Sequence, residues 1–287
     1  MPLSPFVISI PNVLNAQCHE AEQLYSRVLD APEAPCYAFD LRRVSFLVPY
    51  GVMVLLNCAK LLFERTDIPV ELMNLQDNVH SYLERIDMFQ LNSSPLFCQK
   101  QPDNPWLRSG SNITVLEMSQ LRDEDYLDII SKRAKEIFVA NMGKDIATLV
   151  VLVLNELCSN VLLHSGDHSG MVLIQSCHAF DDPKVTCVRV AVSDMGYGMR
   201  ASLRKKYPDL DEPGRAIVAA FDGRTSRDEG ERGGLGIRVV AALAAEQGGH
   251  VWMRSETAAL YHTAGSPQIL PSLGYVPGTQ VAAEFRV

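Results

Sequence analysis

The stretch Asn155-Glu156-Leu157-Cys158-Ser159-Asn160 carries the strongest chemical signal in this sequence. It lies in a helix that the apolar pattern predicts from Asp145 to His164. Glu156 and Asn160 are four residues apart, so both side chains project from one face of that helix. A carboxylate there can act as a general base, and an amide oxygen can bind a Mg²⁺ ion that takes its other ligands from phosphates and water. A solvated helix face is the alternative interpretation of this pair.

A second motif, Asp194-Met195-Gly196-Tyr197-Gly198, directly follows a strand predicted at Cys187 to Ser193. An aspartate at a strand end can accept a hydrogen bond from the amino group of adenine, whereas guanine presents an acceptor at that position. Gly196 and Gly198 have no Cβ, which allows the backbone to approach a flat ring closely. The alternative interpretation is a tight turn after the strand.

A third motif, Arg232-Gly233-Gly234-Leu235-Gly236, leads directly into a helix predicted at Ile237 to Gln247. Amide groups at a helix N-terminus can bind phosphate oxygens, and Arg232 can add positive charge beside them. The motif is not a Walker A loop, because the Gly143-Lys144 pair elsewhere in the chain is followed by Asp145. Thr279, in the turn that opens the last predicted strand, could reach the adenine side of the same pocket.

Together and in this order, the four motifs resemble the nucleotide-binding motifs of the GHKL ATPases (gyrase, Hsp90, histidine kinase, MutL). The resemblance covers Lys144 to Val287 and implies a C-terminal GHKL (Bergerat) α/β sandwich that binds ATP with Mg²⁺. It implies that Glu156 is the general base, that Asn160 binds Mg²⁺ and that Asp194, supported by Thr279, holds adenine. It further implies phosphate contacts from Gly233 to Gly236 and a mobile ATP lid from Met199 to Glu231.

The N-terminal half alternates predicted strands with predicted helices, which favours a mostly parallel sheet covered by helices. The strands are predicted at 5–11, 36–39 and 70–74, and the helices from Asn12, over 52–63 and over 77–89. This half resembles the STAS domain of anti-sigma-factor antagonists, through the stretch Phe39 to Phe46, Gly51 and the strand Val70 to Asn74. It departs from them at Val48-Pro49-Tyr50-Gly51, where a phosphorylatable serine is usual, so a phosphoserine switch is in doubt.

Composition predicts a domain boundary between these halves. Residues 92–112 are rich in Ser, Pro, Asn, Gln and Gly, which is typical of a linker. We therefore predict a STAS-like domain at 1–91, a linker at 92–112 and the ATP-binding domain at 113–287, of α/β (α+β) class overall. In the last domain the pattern predicts strands at 113–118, 171–176, 187–193, 250–255 and 280–287, a helix over 123–141 and a long polar loop after Gly198.

The bulk numbers exclude several other classes of protein. The composition is globular, with 47% hydrophobic and 21% charged residues, and the formal net charge of -8 argues against a nucleic-acid partner. Seven cysteines without a Cys-x-x-Cys spacing predict reduced thiols and a cytoplasmic location. The longest apolar run, over 146–154, is about half a membrane span, so we expect no membrane segment.

Three functions follow as expectations. The first is an ATP-hydrolysing switch in signalling that controls a protein–protein interaction. The second is a serine/threonine protein kinase of the anti-sigma-factor type, and the third is a nucleotide-gated binding protein with little turnover. For each function we expect a protein partner, either a regulator or a phosphoacceptor, and the chain could form a homodimer.

Overall fold

The computed structural model describes residues 4–14, 19–92, 94–100, 112–166, 170–179, 181–224 and 236–287. The chain divides into two compact units, Met1–Ser111 and Asn112–Val287. This division falls at the end of the stretch that composition predicts as a linker.

The N-terminal unit is built around a parallel sheet. Its elements are β1 (Phe6–Ser9), β2 (Val13–Leu14), α1 (His19–Leu29), β3 (Tyr37–Asp40), β4 (Phe46–Leu47), α2 (Pro49–Thr66), β5 (Val70–Met73), α3 (Asp77–Arg85), α4 (Met88–Leu91) and β6 (Leu96–Cys98). The main sheet has the order β1-β3-β5-β6 with every pair parallel, and β2 and β4 form a separate parallel pair. The prediction of a mostly parallel sheet with helices is confirmed, and the STAS resemblance stays a prediction.

Helix α2 illustrates how the sequence sets these elements. Pro49 occupies the first turn, where a missing N–H group costs nothing. The first eleven residues of the helix are all buried, which explains why the segment is apolar almost all round. The helix ends at Thr66, and the next residue, Asp67, adopts a left-handed conformation with φ of 55° and donates its N–H to the Phe63 backbone oxygen at 2.7 Å.

Three predictions for this unit are wrong in detail. No helix opens at Asn12, because Val13–Leu14 extends to pair with β4, and α1 begins at His19. The predicted helix over 77–89 is broken at Asp87, whose φ of 64° is incompatible with a continuous right-handed helix. The predicted linker contains β6, which pairs with β5 and completes the sheet.

The C-terminal unit contains an antiparallel sheet with helices packed on it. Its elements are β7 (Val115–Gln120), α5 (Glu124–Met142), α6 (Lys144–His164), β8 (Met171–His178), β9 (Thr186–Ser193), α7 (Gly198–Arg204), α8 (Pro213–Phe221), α9 (Gly236–Glu246), β10 (His250–Glu256), β11 (Ala258–His262), β12 (Gln268–Leu270) and β13 (Val276–Arg286). The strand order is β12-β11-β10-β13-β9-β8-β7, and all six pairings are antiparallel.

One core joins the helices to this sheet. Alternate residues of β9 (Val188, Val190 and Val192) belong to it, together with apolar side chains of α5, α6 and α9. Asp123 caps α5, because its carboxylate accepts the Tyr126 N–H at 2.7 Å. The predicted α/β sandwich is therefore present.

The segment predicted as a long polar loop is not a loop in its described part. It contains α7 and α8, which pack on each other through a small core of their own made of Leu203, Leu210, Ala216 and Ala219. The hairpin partners β11 and β12 were also not predicted from the sequence.

Candidate functional site

Of the seven predicted site residues that the structure describes, Gly196 and Gly236 do not line the cavity, and the other five line one cavity of the C-terminal unit. Its wall includes Glu156 and Asn160 from α6, Asp194 after β9, Gly198 at the start of α7 and Thr279 in β13. These residues come from four elements that are far apart in the sequence, so the sheet and α6 bring them together. The predicted phosphate residues Arg232, Gly233, Gly234 and Leu235 lie outside the described residues.

Helix α6 buries one face in the core and turns a neighbouring face toward the cavity. Val150, Val153 and Leu154 are buried in the core. Asn155 turns toward α5, where its Oδ1 accepts a hydrogen bond from the hydroxyl of Ser131. Glu156 is half-buried and Asn160 is exposed, so a carboxylate and an amide oxygen remain on the cavity side of the helix.

Asp194 is held firmly at the end of β9. Asp194 is only 4% exposed, and its Oδ1 accepts the Gly196 N–H at 2.9 Å. Its backbone N–H donates to the Thr279 oxygen at 2.9 Å. The amide of Gln280, which is fully buried, donates to the Asp194 backbone oxygen at 3.0 Å and to the Pro277 oxygen at 3.1 Å. These bonds fix the carboxylate from both neighbouring segments.

Two glycines of the predicted motifs are required by close packing. A Cβ on Gly196 would lie 1.9 Å from the backbone oxygen of Ser165, just beyond the end of α6. Gly198 adopts a φ of +79°, and a Cβ there would meet Ser255 and Glu256 at 2.9 Å. The first glycine therefore lets the Asp194 loop pack on α6, and the second lets α7 begin beside β10.

Ser255 connects three parts of the site and was not predicted from the sequence. Its hydroxyl accepts the Met199 N–H at 2.9 Å and donates to the Gly278 oxygen at 3.0 Å. The Ser255 hydroxyl oxygen is also 3.4 Å from the Thr279 hydroxyl oxygen. This serine therefore ties the start of α7 to the part of β13 that carries Thr279.

The remaining wall of the cavity is mainly apolar. It is formed by side chains from α6, the sheet, α7 and α9, namely Leu157, Val161, Val192, Met199, Leu203, Ile237, Met253 and Val281. An apolar wall with one buried carboxylate suits a flat heterocycle that carries an amino group. Gly236 opens α9, and its neighbour Ile237 lines the cavity, so the N-terminus of this helix is close to the cavity.

The donor set also fits a magnesium ion carried in with a polyphosphate. In the described part of the chain, no group of three or more His, Cys, Asp and Glu side chains could hold a metal ion. Asn160 offers a hard oxygen at the exposed end of the cavity, and Mg²⁺ commonly takes one or two protein ligands with phosphates and water supplying the rest. Asn160 is thus the residue that would hold Mg²⁺, and the ion would neutralise phosphate charge.

Helix α6 is also long and apolar enough to cross a membrane, judged by length and composition over Lys144–Leu163. This single helix is weak evidence, because core helices share these properties. Ala147, Val150, Leu154 and Cys158 are buried in the core, and Glu156 and Asn160 line the cavity. One face of this helix thus packs in the core, while Leu149, Leu152 and Leu163 are exposed.

Comparison with known proteins agrees with this geometry. Residues 145–281 match the family of histidine kinase-, DNA gyrase B- and HSP90-like ATPases. The C-terminal segment therefore belongs to this family and is a GHKL-type ATPase domain. No curated protein and no solved structure matches the chain.

Proposed function

We propose that the chain is a Mg-ATP-binding regulatory protein whose ATPase domain controls a protein–protein interaction in cytoplasmic signalling. One observation carries the proposal: Glu156, Asn160, Asp194 and Thr279 line a single cavity inside a domain of an ATPase family. A partner, acting as regulator or phosphoacceptor, and a homodimer form part of the proposal.

Each side chain has a specific role in this proposal. Asp194 accepts the amino group of adenine, and Thr279 lies beside it at the start of β13. Asn160 would hold Mg²⁺, which would neutralise part of the phosphate charge, and the N-terminus of α9 would favour the remaining negative charge. Glu156, one turn before Asn160 on the same helix face, orients the attacking water and removes its proton.

The N-terminal unit is the natural site of regulation in this account. Its STAS resemblance motivates a role in protein recognition, and nucleotide state would then change what the chain binds. A ligand can shift such an equilibrium only if it binds the two states with different affinity. ATP and ADP differ by one phosphate group, and Asn160 would hold the Mg²⁺ that accompanies the phosphates, so the two nucleotides can supply that difference.

A serine/threonine kinase of the anti-sigma-factor type is the second candidate. Glu156 is only half-buried and Asn160 is exposed, so a hydroxyl on another protein could approach the general base as water does. A nucleotide-gated binder with little turnover is the third, and it gives no role to Glu156 as a base.

Incubation with Mg-[γ-³²P]ATP, alone and with cell extract, tests these alternatives. Released phosphate that is lost in Glu156→Gln and Asn160→Ala supports the ATPase switch, and label on a protein with the same dependence supports the kinase. Glu246→Gln, an exposed glutamate at the end of α9, is the matched control and should behave as wild type. ATP binding with neither phosphate release nor label supports the gated binder, and no ATP binding contradicts all three.

A further inference from the structure

The charge of the cavity wall is unbalanced for a polyphosphate ligand. Among the described residues that line the cavity, Glu156 and Asp194 carry carboxylates and Arg224 is the one cation. A nucleoside triphosphate brings several negative charges, and a single Mg²⁺ neutralises only part of them. Positive side chains that hydrogen-bond phosphate oxygens normally supply the remainder.

Arg224 is placed at the cavity by the end of α8. Its backbone N–H donates to the Ala219 oxygen at 2.8 Å, and Gly223 before it turns the chain with a φ of +95°. Ala220 and Arg224 both line the cavity, so the residue points to the site from the hairpin formed by α7 and α8.

An aromatic ring holds the guanidinium of Arg224. Its Cζ lies 5.3 Å from the ring centroid of Tyr207, within the range of a cation–π contact. Tyr207 in turn packs against the small core of Leu203, Leu210, Ala216 and Ala219. A cation–π contact uses the charge of the guanidinium and none of its N–H groups, so these donors can still bond phosphate oxygens.

The neighbouring elements place this cation near the phosphates. Helix α8 packs against α9, and Ile237 at the start of α9 lines the same cavity as Arg224. The N-terminus of α9 is where backbone N–H groups favour an anion. We propose that Arg224 binds the phosphate groups of the nucleotide and that Tyr207 positions its guanidinium, an inference that rests on the proposed function.

Titration of the full chain with ATP, ADP and adenosine tests this inference. Arg224→Gln should weaken ATP binding about tenfold or more, because a charge-assisted hydrogen bond is lost, and should leave adenosine binding unchanged. Tyr207→Leu should weaken ATP binding by roughly two- to fivefold, since the cation keeps its charge but loses its support. Arg204→Gln makes the same charge change at an exposed position of α7 and should bind all three ligands as wild type does.

The outcomes separate this inference from the function on which it rests. If wild type binds ATP and Arg224→Gln binds it equally well, Arg224 has no phosphate role and the inference is overturned. Equal losses for ATP and adenosine would also overturn it, since they would show a damaged pocket. A wild-type chain that binds no ATP would overturn the proposed function, and this inference with it.

Discussion

Gly278 lies so close to Asp194 that a Cβ atom on the glycine would be 2.2 Å from the Asp194 backbone oxygen and 2.6 Å from its Oδ1. Gly278 also has a φ of +78°, a region that side chains disfavour. The Asp194 carboxylate thus has its position only because the turn before Thr279 carries no side chain at this point. The contact explains in physical terms why a glycine precedes Thr279.

Gly278→Ala should therefore damage both the pocket and the fold. Gly143→Ala is a matched control, because Gly143 has the same φ of +78° with nothing within 4 Å of its Cβ position. We expect Gly143→Ala to lower the free energy of unfolding by about 1–3 kcal/mol through backbone strain alone. Gly278→Ala should lower it by roughly 1–3 kcal/mol more through the clash, and ATP affinity should fall in this variant only. Urea unfolding and ATP titration measure both effects, and equal ATP affinities in the two variants would disprove the close-packing argument.

The ion pair between Arg200 and Glu256 gives a second prediction. The Nη2 of Arg200 lies 2.8 Å from Oε1 of Glu256, whose side chain is 4% exposed, and the pair joins α7 to the end of β10. Arg200→Met would leave a buried carboxylate without its cation and should lower the free energy of unfolding by about 1–3 kcal/mol. Limited proteolysis should then cut the α7–α8 region faster than in wild type.

Arg215 provides the control for this ion pair. Its contacts with Asp209 at 3.7 Å and Asp211 at 3.6 Å lie between exposed side chains. Ion pairs between exposed side chains contribute little to stability, so Arg215→Met should change the free energy of unfolding by less than about 1 kcal/mol. If the two arginine variants are equally stable, the Arg200–Glu256 pair does not anchor α7.

Much of this fold could be predicted from local patterns. Helices α5 and α6 have long apolar periods and a capping aspartate or a glycine at their start, and β9 alternates valines that face the core. The motif residues of α6, β9 and β13 could be proposed from the sequence because each combines an unusual residue type with a clear place on a helix or at a strand end. The structure then brings these predicted residues to one cavity.

The parts that were not predicted depend on contacts between distant residues. The sequence around Ser255 does not distinguish it from other serines in strands. Its role is visible only in the fold, where Met199 and Gly278 lie within hydrogen-bond distance of its hydroxyl. Helices α7 and α8 are short, and their small core forms only when they pack on each other. Strands β2 and β6 have two and three residues, too few for a period to show, and pairing defines them.

The buried His250 should make the free energy of unfolding depend on pH. Burial lowers the pKa of this imidazole below its ordinary value. The charge of Glu284 raises this pKa, whereas the charges of Arg189 and Arg286 lower it further. The unfolded chain therefore binds a proton more readily than the folded chain, so the free energy of unfolding should fall as pH drops below about 6.5. Urea unfolding at pH 7.5, 6.5 and 5.5 measures this slope. His250→Gln should reduce the slope between pH 6.5 and 5.5, and an unchanged slope would exclude His250 as its source.

Calorimetric titration of the full chain with ATP and with GTP, in the presence of Mg²⁺, tests the central claim most directly. We predict saturable binding of ATP and weaker binding of GTP. In Asp194→Asn the affinity for ATP should fall about tenfold or more, because the amide can present a donor to the adenine amino group. Asp182→Asn, a change on the loop between β8 and β9 away from the cavity, should bind ATP as wild type does. Absence of saturable ATP binding, or equal affinity in wild type and Asp194→Asn, would contradict the account.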